Sequence, residues 1–264
     1  MDLRLGNRTL HVYDVGEGVP VFWHHGTPNL GLPPEPLFRP GVRWISYDRP
    51  GYGTSTPVPG RTVASAATDV AHIADELGIS TFAVVGHSGG GPHALACAAL
   101  LGDRVTGVVA AASMAPFDAP GLDPFAGMIA SGQASLRAAM AGRAEKERYE
   151  TSGVEYDPEF TETDLAALRG PWSFFDKVVP PALANGPGPL IDDDIAYVTP
   201  WGFDTASISV PILLLHGARD GIAPVSYAHW LAARIPGAEL RVTAEDGHIS
   251  VLNHAPAALD WLLG

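Results

Sequence analysis

In the first third of the chain, short runs rich in Val, Ile, Phe, Tyr and Trp alternate with stretches of helical period, and polar turns separate them. Residues 10–15, 19–23, 42–47 and 81–85 read as strands, and 62–77 and 89–101 as helices. A further apolar run, 105–112, is too short for a helix and reads as another strand. Strands apolar at successive positions need cover on both faces. The pattern therefore predicts a βαβαβ arrangement whose parallel sheet lies between helices.

The strand rhythm stops near Ala115 and stays silent to Ser207, over a stretch punctuated by Pro and Gly with helices expected at 131–150 and 161–168. Alternation resumes with a strand at 210–216, a helix at 224–235, a strand at 239–243 and a last helix at 255–262. The expected organisation is a core of residues 1–114 and 208–264 interrupted by a helical insertion, 115–207. Within the insertion, the run Asp192-Asp193-Asp194 reads as a solvated turn. Neither an internal repeat nor a low-complexity tract appears.

A length of 264 residues with 46% apolar and 17% charged positions suits a soluble globular chain with one large α/β unit. The 29 acids and 16 bases give a formal charge of −13, and fifteen of the acids against six of the bases fall in 115–207. With no dense Lys/Arg run, nucleic acid is not an expected partner. No apolar stretch approaches the roughly 18 residues of a membrane span, and an acidic surface is repelled by anionic lipid, so no membrane partner is expected. Cys97 is the only cysteine, which excludes an internal disulfide and a multi-thiolate metal site and fits a reducing compartment. The amino terminus lacks the apolar core of a signal peptide, so a cytoplasmic location is expected. Histidine spacing resembles no metal motif, and no metal is expected.

The chemistry starts at Gly86-His87-Ser88-Gly89-Gly90, a G-x-S-x-G pattern at the junction of a predicted strand and helix. A sharp strand-to-helix turn there strains the serine backbone and exposes its hydroxyl at a helix amino terminus, where free N–H groups favour a developing oxyanion. Glycines two residues either side remove Cβ atoms that would meet the strand and helix. A serine hydroxyl is a weak nucleophile near pH 7, so it needs a histidine to take its proton and a carboxylate to orient that histidine. Asp220 follows the strand that ends near His216, and His248 follows the strand that ends near Thr243. Ser88, Asp220 and His248 thus stand in the chain order expected after a nucleophile elbow. Asp118 is a weaker substitute for the acid and His254 for the base, whereas Asp246 is too near His248 in sequence to be its partner.

Upstream, the strand ending at Trp23 runs into His24-His25-Gly26-Thr27-Pro28, a sharp loop at the same end of the sheet. The N–H groups of Thr27 and Gly89 are the expected oxyanion donors, with His25 bracing the loop. Met114, Phe125, Met128, Trp172 and Trp201 are candidates for an apolar substrate pocket, together with His87 inside the elbow.

The residues His25-Gly26-Thr27-Pro28, Asp48-Arg49-Pro50-Gly51-Tyr52-Gly53-Thr54-Ser55, Gly86 to Gly90, His216 to Asp220 and Gly247-His248 resemble the α/β-hydrolase superfamily, in its cap-bearing branch of serine hydrolases. The resemblance spans nearly the whole chain and is weakest over 115–207. It implies an α/β-hydrolase fold, with a mostly parallel sheet of about eight strands, helices on both faces and an inserted helical cap, or lid. It also implies Ser88 as nucleophile, His248 as general base and then acid, and Asp220 as the orienting carboxylate. A serine at position 88, where haloalkane dehalogenases and epoxide hydrolases carry aspartate, argues against those two chemistries.

The expected activity is hydrolysis of a small apolar carboxylic ester or lactone through an acyl-enzyme, without metal or organic cofactor. The same three residues would also suit a carbon–carbon bond hydrolase or a cofactor-free perhydrolase or haloperoxidase. A ligand-binding or signalling protein with little turnover is the alternative of a different class. The expected assembly is a monomer or a homodimer.

Overall fold

The computed structural model describes residues 1–264. Its strands are β1 (Asp2–Leu5), β2 (Arg8–Gly16), β3 (Val19–His24), β4 (Val42–Tyr47), β5 (Phe82–His87), β6 (Val105–Ala111), β7 (Ile212–Gly217) and β8 (Glu239–Thr243). They form one eight-stranded sheet in the order β1-β2-β4-β3-β5-β6-β7-β8. β2 pairs antiparallel with β1 and β4, and every later pair is parallel. This is the α/β-hydrolase fold.

Strand β1 is an addition to the strands expected from the sequence. It pairs with β2 in the register Leu5↔Arg8, across the two-residue connection Gly6-Asn7 with Gly6 at φ 63°. A tight hairpin of this kind needs a left-handed residue, which glycine supplies.

The buried strands place alternate residues in two separate cores. Phe22, Val84, Val108, Ala110, Ile212 and Leu214 belong to one cluster. Val21, Trp23, Ala83, Val85, Val109, Ala111, Leu213 and Leu215 belong to the other. The period of two along a strand sends neighbours to opposite faces, so a continuous apolar run is what cover on both sides requires. On the first face lie α1 (Ser65–Glu76), α2 (Gly90–Leu100) and α8 (Ser226–Arg234), through residues such as Val70, Ile73, Leu95 and Leu231. On the second lies α9 (Ala255–Leu263), through Ala255, Ala258 and Leu259.

Between β6 and β7 there is no strand. The segment folds as α3 (Ala130–Met140), α4 (Arg143–Glu150), α5 (Glu162–Arg169), a 3-10 turn at Pro171–Phe174, α6 (Phe175–Ala182) and α7 (Gly188–Val198). The helix expected at 131–150 is therefore two, interrupted at Gly142, whose φ of 101° is not helical. The triple aspartate also differs from expectation. Asp192, Asp193 and Asp194 lie in the body of α7 and are all buried. Cations meet each of them: Arg143 binds Asp192, Arg49 and Arg61 bind Asp193, and Lys146 binds Asp194. Those partners are distant in sequence, so local composition alone suggested solvent.

The segment straddles the sheet. Leu136, Ala196, Tyr197 and Trp201 join the first cluster, and Ala167, Trp172, Phe174, Phe175 and Val178 join the second. No helix of the structure is long and apolar enough to cross a membrane.

Candidate active site

The sheet order reverses at β3, whose two neighbours are β4 and β5. Loops leaving the carboxyl ends of strands diverge at such a point and open a crevice. His24 on β3 is level with Gly86 on β5, so the Thr27 loop and the Ser88 turn leave the sheet side by side.

Ser88 sits between β5 and α2 with φ 55°, a left-handed conformation that costs a residue with a Cβ. The turn closes this sharply because its flanks are small. A Cβ on Gly90 would collide with the His24 carbonyl, and one on Gly86 with the Gly90 carbonyl and with Ala94 Cβ at 3.0 Å. Ser88 remains half-buried.

On the other side of β5, the turns after β7 and β8 bring the partners in. His248 Nε2 lies 2.8 Å from Ser88 Oγ, and His248 Nδ1 lies 2.8 Å from Asp220 Oδ2. The Asp220 carboxylate serves two purposes with its two oxygens. Oδ1 accepts the N–H groups of Ile222 and Ala223, both at 2.9 Å, which fixes the turn, while Oδ2 faces His248. Burial opposes its charge, yet the adjacent His248, which donates to it, and the nearby His216 hold its carboxyl well below the usual range. It is therefore ionised at neutral pH and fixes Nδ1 of His248 as the protonated nitrogen, which leaves Nε2 free to accept the Ser88 proton.

His87 packs beneath this line, its ring centroid 5.1 Å from that of His248 and 5.6 Å from that of Phe175. Burial, aided by the nearby His248, pushes His87 down to about 3, so the ring is neutral and donates from Nε2 to the His248 carbonyl at 3.0 Å. Its contact is with the backbone of the loop that carries His248. His254 lies apart from Ser88, half-exposed and bonded to Asp246 at 2.9 Å, and Asp118 is exposed.

The Thr27 loop abuts the elbow, since a Cβ on Gly26 would stand 3.4 Å from Ser88 Cβ. Neither Thr27 N–H nor Gly89 N–H is engaged by an acceptor within the chain. His25 braces the loop through Nδ1, 2.8 Å from Gly26 O, and through Nε2, which accepts Arg49 N–H at 3.2 Å. Burial, with Arg49 close by, holds His25 well below its ordinary value, so it stays neutral.

The remaining sequence candidates fall on two sides. Met114, Met128 and Trp201 are buried in the first core cluster, with Phe125 partly buried against it under the Arg137 guanidinium, 3.9 Å from the ring centroid. Trp201 Nε1 donates to Tyr197 O at 3.2 Å. Trp172 is in the second cluster, 6.0 Å from Phe175. No cluster of three or more His, Cys, Asp or Glu side chains is arranged to hold a metal ion.

Two groups absent from the sequence expectations reach the site from the inserted segment. Asp164, in the first turn of α5, accepts the N–H groups of Ile249 and Ser250, both at 2.8 Å, immediately after His248. The same residue completes a capping box with Thr161. Asp193 on α7 binds Arg49, Arg61, Tyr52 and Thr27 at the other side. A Thr-x-x-Asp spacing was the readable signal for the first, and an i, i+4 Asp193–Tyr197 pair on one helix face for the second.

A family model described as the alpha/beta hydrolase fold matches residues 19–255. The chain is 32% identical to the 2-hydroxymuconate semialdehyde hydrolase of Pseudomonas putida, over 96% of this chain and 88% of that protein. Among solved structures, it resembles a bromoperoxidase from Bacillus anthracis with a TM-score of 0.73 and 24% identity, over 97% of this chain and 95% of the other. It also resembles the enol-lactonase from Burkholderia xenovorans LB400, with a TM-score of 0.73 and 22% identity over the full length of both.

Proposed function

Because the chain belongs to the α/β-hydrolase family and is a hydrolase, we propose that it is a serine hydrolase that cleaves a small, neutral, apolar ester or lactone through an acyl-enzyme. The observation that carries this reading is the line of hydrogen bonds Ser88 Oγ, His248 Nε2, His248 Nδ1, Asp220 Oδ2, with both contacts at 2.8 Å. Ser88 Oγ attacks the carbonyl carbon as its proton passes to His248 Nε2. Charge that develops on the carbonyl oxygen is met by the N–H groups of Thr27 and Gly89. His248 then protonates the leaving alkoxide. Water, deprotonated by the same nitrogen, attacks the acyl carbon and returns Ser88 to its resting state.

The inserted helices act as a cap. Met114, Phe125, Met128 and Trp201 would form one apolar wall of the pocket and Trp172 the opposite one, with His87 below the base. A neutral substrate fits the charges. Arg49 beside the Thr27 loop donates to His25 O, Gly26 O, Thr27 Oγ1 and both oxygens of Asp193, which leaves it no fork for a substrate carboxylate.

A second reading, carbon–carbon bond cleavage beside a carbonyl, is supported by the 32% identity to the 2-hydroxymuconate semialdehyde hydrolase. Initial rates on a series of neutral p-nitrophenyl esters and lactones, set against vinylogous diketone acids, separate the two. Turnover of the esters that falls by about 10⁴ or more in Ser88→Ala is expected. Faster turnover of the diketone acids would replace the first reading by the second.

A further inference from the structure

Thr27 and Gly89 belong to different loops, one after β3 and one after β5, which the pairing of His24 with Gly86 sets side by side. A single side chain from the inserted segment touches both. The Tyr197 hydroxyl, on α7, lies 2.7 Å from Thr27 Oγ1 and 3.0 Å from the Gly89 carbonyl. The approach is possible only because position 89 is glycine: a Cβ there would collide with the Tyr197 hydroxyl and stand 2.7 Å from Thr27 Oγ1.

Proton bookkeeping fixes the direction of these bonds. Thr27 Oγ1 also lies 2.7 Å from Asp193 Oδ2, so two hydroxyl protons serve three short contacts. Asp193 Oδ2 already accepts from Arg49 at 2.7 Å and from Tyr52 at 2.9 Å. Thr27 O–H is its third donor, so the Tyr197 O–H is shared between Thr27 Oγ1 and the Gly89 carbonyl, which also accepts from His93 Nδ1 at 2.8 Å. Arg49 completes the set by donating to Thr27 Oγ1 at 2.9 Å. Tyr197 itself is held by burial in the first core cluster and by its place one helical turn beyond Asp193.

From this geometry, and resting on the reading of Thr27 and Gly89 as oxyanion donors, we infer that Tyr197 is a positioning residue whose hydroxyl sets the spacing of the two donors across the two loops. The oxyanion hole is then complete only with α7 seated. Because the donors serve charge that exists only in the transition state, their misplacement lowers kcat and leaves ground-state binding unchanged.

The test compares wild type, Tyr197→Phe, Thr27→Val and Thr27→Ser, each normalised by titration of reactive Ser88 so that unfolded enzyme does not count. The probes are a p-nitrophenyl ester and an aryl trifluoromethyl ketone, which adds Ser88 Oγ to form a tetrahedral oxyanion. Tyr197→Phe is expected to lose about tenfold or more in kcat, with KM within about twofold and ketone affinity weakened by the same factor as kcat. Thr27→Val repeats this loss and Thr27→Ser, which keeps the hydroxyl, restores the rate. Combining Tyr197→Phe with Thr27→Val adds little beyond either alone. Unchanged kcat or unchanged ketone affinity in Tyr197→Phe overturns the inference, as does equal loss in Thr27→Ser and Thr27→Val. Should Tyr197→Phe not fold, the two Thr27 variants decide alone. Labelling of Ser88 in wild type is independent of all these outcomes, so the broader proposal stands or falls separately.

Discussion

Two aspartates of the inserted segment hold the two flanks of the site, and they do so by different physics. Asp164 holds the His248 loop with neutral partners, the N–H groups of Ile249 and Ser250. Asp193 holds the Thr27 loop through an ionic cluster in which Arg49 and Arg61 face one fully buried carboxylate. The first is a short-range attachment that any acceptor of the right shape can imitate. The second commits three charges to a place without water, where removing one strands the others. The same residue type therefore predicts two different responses to mutation.

The largest response is expected on the Asp193 side. Asp193→Ala leaves two buried guanidiniums without a counter-charge and should cost about 3–5 kcal/mol, read as a lower midpoint in urea unfolding. A loss below about 1 kcal/mol would mean that water enters and replaces the carboxylate. Asp164→Ala removes a charged acceptor from two amides and should cost less, about 2–3 kcal/mol. Its sharper signature is comparison with Asp164→Asn, whose amide oxygen can accept the same two bonds. The asparagine variant should recover most of the stability, whereas Asp193→Asn should not, because the ionic cluster needs charge. Equal behaviour of the two asparagine variants would erase the contrast.

Acid tests the Asp193 cluster directly. Burial opposes the charge on Asp193, but Arg49 and Arg61 outweigh it and hold the carboxyl well below the usual range. A carboxyl depressed in the folded state contributes stability that is complete above its unfolded value of about 4 and is lost as the pH falls below it. Unfolding midpoints of the wild type should therefore decline below about pH 4, and Asp193→Asn should flatten that limb. An unchanged slope would remove Asp193 from the account. The smallest effect belongs to the exposed Lys177–Glu35 pair at 2.5 Å, where Lys177→Ala should shift stability by under about 0.5 kcal/mol.

The contrast also explains what could be read from the chain. Strand β4 has the bounds that its apolar run predicts, because a strand buried on both faces writes its length directly into composition, and the half-exposed edge strand β8 keeps its predicted bounds through alternation alone. The meeting of Ser88, Asp220 and His248 in space was legible because each occupies a turn after a strand, a place set by local pattern. The hairpin of β1 was written in Gly6-Asn7, although the strand before it has only four residues and a weak run. The inserted segment was the least legible. Of the acids of α7, Asp193 gains Arg49 and Arg61 from more than a hundred residues earlier, and Asp192 and Asp194 gain Arg143 and Lys146 from another helix; no local rule pairs them. Pattern at a distance of three or four residues does predict Asp164, whose Thr161-x-x-Asp164 spacing marks a helix start, but not that its other oxygen would reach Ile249.

The central claim is that one serine among the fourteen in the chain is made nucleophilic by His248. Reaction of the native protein with an alkyl fluorophosphonate, followed by mass mapping of the adduct, tests this most directly. A single adduct on Ser88, formed at least about a hundredfold more slowly in His248→Ala, is the predicted result. Labelling at another residue, or labelling of Ser88 at the same rate without His248, would contradict it.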